Sequence, residues 1–109
     1  MRWKVEYLPE AKKDLNNLSG NQKITVLKAI AKVQTNPLPT SLGGYGKPLG
    51  NKGGNDLTGL LKIKLKSDGI RVVYKLICTE DAMLVVVIGA RADDEVYDVA
   101  KHRARKHAI

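Results

Sequence analysis

The chain has no phenylalanine, one cysteine, one tryptophan and two histidines in 109 residues. Each shortage excludes something. Cys78 on its own cannot form an internal disulfide, which suits a reducing cytoplasm. It ends a strand-like apolar run with no histidine near it in sequence, so it reads as a buried structural thiol and not as a nucleophile. His102 and His107 are five residues apart in a basic tail, whereas ligand pairs on a helix stand four apart. They read as solvated tail residues, and neither a metal nor a small-molecule cofactor is expected. No apolar run approaches the ~18 residues of a membrane span. Met1-Arg2-Trp3-Lys4 does not open a signal peptide. Binding to a membrane surface would call for a basic amphipathic helix with exposed Leu, Phe or Trp, and the one tryptophan is Trp3. A nucleophile elbow is missing too, and the glycine-rich stretches at 43–47 and 50–54 lack the Ser or Thr that follows the lysine of a Walker motif. Acidic residues are scarce: 11 Asp and Glu stand against 19 Lys and Arg, for a formal net charge of +8. That balance points to an anionic partner, whether nucleic acid, an anionic membrane surface or an acidic protein.

What is present fits one domain over residues 1–109, large enough to bury a core without staples. Trp3, Val5 and Tyr7 alternate with polar residues and predict an opening strand. Pro9 and Glu10 then start a helix through Ala11, Leu15 and Leu18, stopped by Ser19-Gly20. Asn21 is the expected N-cap of a second helix, with Ile24, Leu27, Ile30, Ala31 and Gln34 at helical spacing, running to about Thr35. Residues from about 36 to 58 hold Pro37, Pro39, Pro48 and most of the glycines, and read as a long mobile loop that offers Lys47 and Lys52 to a ligand. The apolar run Met83–Ile88 suits an interior strand covered on both faces. Glu95 to about Lys106 reads as a short C-terminal helix. The expected class is α+β: an N-terminal strand, a two-helix hairpin, a curved antiparallel sheet of about four strands, and a final helix, with helices on one side of the sheet.

The most informative segment is 60–76. Asp68-Gly69 predicts a two-residue turn. That turn pairs Lys66 with Arg71, Leu65 with Val72, Ile63 with Tyr74 and Lys62 with Lys75. Alternation then places Leu61, Ile63, Leu65, Val72, Tyr74 and Leu76 on one face. Lys62, Lys64, Lys66, Arg71, Val73 and Lys75 lie on the other, which is expected to be the open side of the sheet. Like charges directly opposite each other destabilise a sheet, so a rigid face of one sign suits an anionic ligand. Solvated lysines that protect a sheet against aggregation would look the same.

Cations and a tyrosine are the chemistry on offer: Lys62, Lys64 and Arg71 on the hairpin, Arg91 just past the apolar strand, and Tyr97 six residues on. RNA brings its own nucleophile, the 2′-hydroxyl beside each phosphate. Cleavage then needs in-line geometry, stabilisation of a charged phosphorane, and proton transfer at two oxygens. Arg and Lys supply charge. Crowding by like charges lowers a lysine's pKa, which makes Lys62 or Lys64 a candidate base.

With a Lys-x-Lys strand, a Ser-x-Gly-x-Arg turn at 67–71, and Arg91 six residues before Tyr97, the chain resembles the RelE family of bacterial toxins within the RelE/ParE superfamily. The resemblance implies a RelE-like microbial RNase fold. It also implies a toxin of a type II toxin–antitoxin system: a cytoplasmic, metal-independent endoribonuclease that cuts mRNA in the ribosomal A site and is silenced by a cognate acidic antitoxin. Carried over residue by residue, Lys62 and Lys64 act on the 2′-hydroxyl and nearby phosphates, with Lys64 the candidate base. Arg71 stabilises the phosphorane. Arg91 contacts the scissile phosphate and assists the leaving 5′-oxygen, while Tyr97 stacks on a base or moves a proton. Lys47, Lys52, Lys66 and Lys75 are the further nucleic-acid-binding candidates. The glycine-rich loop looks longer than in the best-known members. Two alternatives stand beside this reading: a ParE-type DNA gyrase inhibitor without nuclease activity, and a non-catalytic basic RNA-binding module.

Overall fold

Alternation at the N-terminus forms β1 (Lys4–Tyr7), and Pro9, whose missing N–H is no loss in a first helical turn, opens α1 (Pro9–Asn16) directly after it. The computed structural model describes residues 3–52, 55–65, 69–89 and 93–109. The second helix, α2 (Gly20–Val33), is capped by Ser19 and not by Asn21. Ser19 Oγ accepts from Gln22 N–H and Gln22 Oε1 accepts from Ser19 N–H, each at 3.3 Å. This capping box makes Ser19-Gly20 the start of a helix where the sequence suggested only a stop. The buried stripe of α2 is Val26, Ile30 and Val33, while Ile24 and Leu27 face outward at 54% and 42% exposure. Gln34 ties the end of α2 to the N-terminal segment, its Nε2 donating to Trp3 O at 2.7 Å.

Four further strands follow: β2 (Lys47–Lys52), β3 (Asn55–Leu65), β4 (Ile70–Ile77) and β5 (Ala82–Gly89), and then α3 (Asp93–Lys106). They form one five-stranded sheet in the order β1-β5-β4-β3-β2. The β1–β5 pair is parallel and the other pairs are antiparallel, so the sheet is mixed and has one strand more than the sequence suggested. The extra strand, β2, comes out of the supposed loop. Leu49 is buried, the only such side chain among those described in this strand, Pro48 is tolerable because the strand lies at the sheet edge, and the register shifts between Pro48 and Gly50. The first half of that segment is closed by its own backbone hydrogen bonds. Tyr45 N donates to Asn36 O, Gly44 N to Pro39 O, Gly46 N to Leu38 O and Thr40 N to Gly46 O, all at 2.8–3.1 Å. The buried Tyr74 hydroxyl anchors this loop by donating to Pro37 O at 2.7 Å. Burial also pushes the Tyr74 phenol pKa up.

Strand β5 lies between β1 and β4 and is buried from Ala82 to Ile88. Helix α1 and helix α3 both pack on it. Helix α3 lies across the face that carries Lys62, so the cationic side is not the open side the sequence suggested. The physical reason is amphipathicity: Val96, Tyr97 and Ala100 are buried, and they need an apolar surface such as Val73 and Val87 between the cations. Where β1 ends, the exposed edge of β5 is finished by side chains. Asp14 of α1 accepts from Ile88 N at 3.1 Å, and Arg103 of α3 donates to Val86 O at 3.0 Å and to Asp14 at 2.6 and 3.2 Å.

A second clamp joins α3 to α1. Glu10 receives Lys106 Nζ at 3.1 Å and contacts His107 Nε2 at 2.9 Å, so His107 is not a solvated tail residue. Cys78 also departs from expectation: it is exposed, in a single 3-10 turn (Cys78–Glu80) just after β4. The hydrogen bond from His107, then those from the backbone and Lys106, hold the Glu10 carboxyl down from 4.5 to about 2. A carboxylate whose folded pKa is depressed contributes stability above its unfolded pKa, and the contribution is lost as pH falls through the folded value. Wild type should therefore melt above Glu10→Gln near neutral pH. The gap should close between about pH 4.5 and about pH 2. Thermal melts of both proteins over that range check this, and a gap independent of pH would show that the clamp carries no linked charge. Among the described residues, no helix is long and apolar enough to cross a membrane.

Candidate functional site

The β3–β4 hairpin keeps its two faces but not the predicted register. Leu65 pairs with Ile70, Lys64 with Arg71, Ile63 with Val72, Lys62 with Val73, Leu61 with Tyr74 and Leu60 with Lys75. The pairing has moved by two residues, and a connection of four residues, 66–69, replaces the two-residue turn. A shift of two leaves every side chain on its original face, so the hydrophobic pattern could not detect it. Among the described residues of the hairpin it leaves one like-charged opposition, Lys64 with Arg71, where the predicted register had two. The Arg71 guanidinium donates to Gly69 O at 2.7 Å, and Gly69 has φ +65°. Lys66 and Asp68 lie outside the described residues.

Lys62 is the meeting point of three elements. Across β2 its partner is Lys47, across β4 it is Val73, and above it lies Tyr97 of α3. Lys62 Nζ donates to Tyr97 Oη at 2.7 Å. The same nitrogen is 5.5 Å from the ring centroid, so it sits at the hydroxyl end of the ring and not over its face. The contact is a hydrogen bond and not a cation–π contact. Tyr97 is only 3% exposed, so its ring is packing and its hydroxyl is the part presented to Lys62. With its oxygen accepting from an ammonium, the phenol still has one proton to give.

Lys62 and Lys64 project from the same face two residues apart, about 7 Å along the strand. Lys64 is exposed, and Lys62 and Arg71 are half-buried. Lys47, exposed at the start of β2, belongs to this group, since paired residues share a face. Lys52 ends β2, where its backbone pairs with Asn55. Lys75 is on the cationic face at the far end of the hairpin, opposite Leu60. Arg91 lies outside the described residues, between the end of β5 and the start of α3. The structure thus brings together Lys47, Lys62, Lys64, Arg71 and Tyr97, and sets Lys75 apart from them.

Sequence reasoning missed the outer flank of α3. Tyr97, Lys101 and Arg105 follow one another at intervals of four, so they line one side of the helix. Lys101 and Arg105 border a groove with Leu57, Leu60 and Lys75. The spacing was visible in the sequence. Its meaning depended on the helix crossing the cationic face.

No family model matches the chain. A curated protein of Escherichia coli that carries the name RelE-like toxin is 30% identical over 105 residues, spanning 96% of this chain and 100% of that one. Among solved structures, the fold is similar to that of a double arginine-to-alanine mutant of E. coli toxin RelE in the free state, with a TM-score of 0.71, 25% identity, and coverage of 94% of this chain and 98% of that one. It is also similar to the intact E. coli RelBE toxin–antitoxin complex, with a TM-score of 0.63 over 83% of this chain and 98% of the matched chain. At 22% identity, that second likeness is one of fold alone.

Proposed function

We propose that this chain, which belongs to the RelE-like toxin family, is a metal-independent endoribonuclease that cuts mRNA in the ribosomal A site. One observation carries the reading: the Lys62–Tyr97 hydrogen bond lies on the same sheet face as the opposed Lys64 and Arg71. A proton-bearing hydroxyl, an amine that can take a proton and two cations, Lys62 and Arg71, on one rigid surface are what cleavage by an internal 2′-hydroxyl requires.

In this reading the 2′-oxygen forms a bond to phosphorus while the bond from phosphorus to the 5′-oxygen breaks. The products are a 2′,3′-cyclic phosphate and a 5′-hydroxyl end. Lys64, exposed next to the site, takes the 2′-hydroxyl proton as general base on its neutral amine and leaves as the ammonium. Arg71 donates to the non-bridging oxygens as charge builds on the phosphorane. Lys62 and Lys47 hold the flanking phosphate. Tyr97 gives its proton to the departing 5′-oxygen, a role favoured over base stacking because its ring is buried. Arg91 assists at the scissile phosphate, as the family pattern implies. The partner that silences the toxin is an acidic antitoxin segment laid across the same face, drawn there by the net charge of +8.

When the protein is expressed alone, translation should stop before replication does. Pulse labelling of protein and DNA synthesis reads the order directly, and purified ribosomes programmed with mRNA should yield cut message. Replication arrest first, with protein synthesis intact, would replace this reading with inhibition of gyrase.

A further inference from the structure

Helix α3 divides the cationic face of the sheet into two flanks. Its Val96, Val99 and Arg103 face the Val87–Gly89 end of β5. Its Tyr97 meets Lys62, and its Lys101 and Arg105 stand beside Leu57 and Leu60 of β3. A trough therefore runs along β3 under one wall of α3. The candidate catalytic residues lie at one end. At the other is a cavity of about 380 Å³ bordered by three cationic side chains, Lys75, Lys101 and Arg105, by one carboxylate side chain, Asp56, and by Ile109, the last residue of the sequence.

Two independent lengths agree. From Lys62, which meets Tyr97, back to Leu60, which faces Lys75, is two residues of strand, about 7 Å. From Tyr97 to Lys101, which borders the groove with Leu60, is four residues of helix, about 6 Å. Wall and floor extend equally far, so the cations of the groove continue those of the site. The carboxylate does not cancel them: Asp56 is turned toward its own strand, accepting from Thr58 N at 3.1 Å and Thr58 Oγ1 at 2.6 Å. These hydrogen bonds, with a smaller contribution from nearby Lys101, lower its pKa.

We propose that this groove is a second anion subsite, in which Lys75, Lys101 and Arg105 hold the phosphate backbone of the RNA strand a few nucleotides from the cut. The proposal rests on the nuclease reading for the identity of the strand, but not for the existence of the subsite. A trough of one sign that tracks a backbone is the usual device for single-stranded nucleic acid. Its role is to hold the strand in register, so that the cleaved bond is presented in line at Lys64 and Arg71.

The test uses a fluorescent 2′-O-methyl oligoribonucleotide of about a dozen nucleotides, which has no attacking hydroxyl and so reports binding only. Lys101→Gln/Arg105→Gln should weaken its affinity about tenfold and flatten the log–log salt dependence by about 1.4, the value for two lost phosphate contacts on a single strand. Asp56→Asn keeps an acceptor for Thr58 while removing the charge, and should tighten binding about threefold, the scale of one exposed charge contact. A merely structural role for these residues would not produce opposite signs. Unchanged affinity and salt slope in the double variant overturn the subsite, as does failure of the wild type to bind the probe. So does an oligoglutamate peptide that needs Lys101 and Arg105 while RNA does not, because the groove would then dock protein. Cleavage by Arg71→Ala is read separately on ribosomes. If that variant cuts normally while the double variant loses RNA, the subsite stands and the catalytic reading falls; the reverse result removes only the subsite.

Discussion

Arg71→Ala is expected to lower mRNA cleavage on programmed ribosomes by about 10²–10³-fold, by analogy with removal of one oxyanion-hole donor. The fold should hardly notice. Truncation removes the hydrogen bond to Gly69 O, on the order of 1 kcal/mol. Against it stands relief of the opposition to Lys64, about 0.2–1 kcal/mol for a cross-strand pair. The repulsion relieved is thus with Lys64 and not with Lys66, as the sequence register had it. A net change under about 1 kcal/mol moves the melting temperature of a domain this size by less than about 4–8 °C. Tyr97→Phe is the companion. It keeps the buried ring but removes both the proton and the acceptor for Lys62, and should cost about 10²-fold or more if the hydroxyl is the general acid. Cleavage by Arg71→Ala at the wild-type rate would reduce the hairpin to a solvated lysine surface.

Gly44→Ala should be among the most destabilising single-methyl changes in the protein, at about 3 kcal/mol, the upper end of overpacking costs. A Cβ at Gly44 would overlap the carbonyl O and C of Leu38 and lie 2.9 Å from its Cα. These are backbone atoms, already held by the hydrogen bonds that close the 36–46 loop, so they cannot swing away as a side chain would. The same loop leads into β2 and sets Lys47 beside Lys62, so distortion there should also weaken RNA binding. Gly43→Ala is the control. Gly43 has φ +84° with nothing within 4 Å of a Cβ, so it pays only the left-handed conformational penalty of about 1–2 kcal/mol. Denaturant unfolding of the two variants decides it: equal stabilities would mean that the loop is not locked against its own backbone.

The fate of the 36–58 segment shows where sequence stops being informative. Its prolines and glycines announce turns, and Lys47-Pro48-Leu49-Gly50-Asn51-Lys52 has in Leu49 a lone large aliphatic residue and therefore no alternation to detect. It is a strand because β3 has a second edge, on the side away from β4, with which it pairs. Ile24 and Leu27 fail in the opposite way: their spacing is helical, but helical spacing does not say which stripe of α2 faces the sheet, and Val26, Ile30 and Val33 bury better as a set.

The sequence by itself determined the two faces of the hairpin, because alternation in β3 and β4 admits no other division of Lys62, Lys64 and Arg71 from Ile63, Val72 and Tyr74. It also determined the element order apart from β2, the interior strand Met83–Ile88 and the charge. Only the tertiary structure decided the register, because a slip of two residues conserves the faces and is invisible to hydrophobic pattern. Only the tertiary structure placed α3 on the cationic side, since an amphipathic helix specifies an apolar surface but not which surface of a sheet it will cover. That placement puts Tyr97 on Lys62 and turns a lysine-rich strand into the floor of a trough.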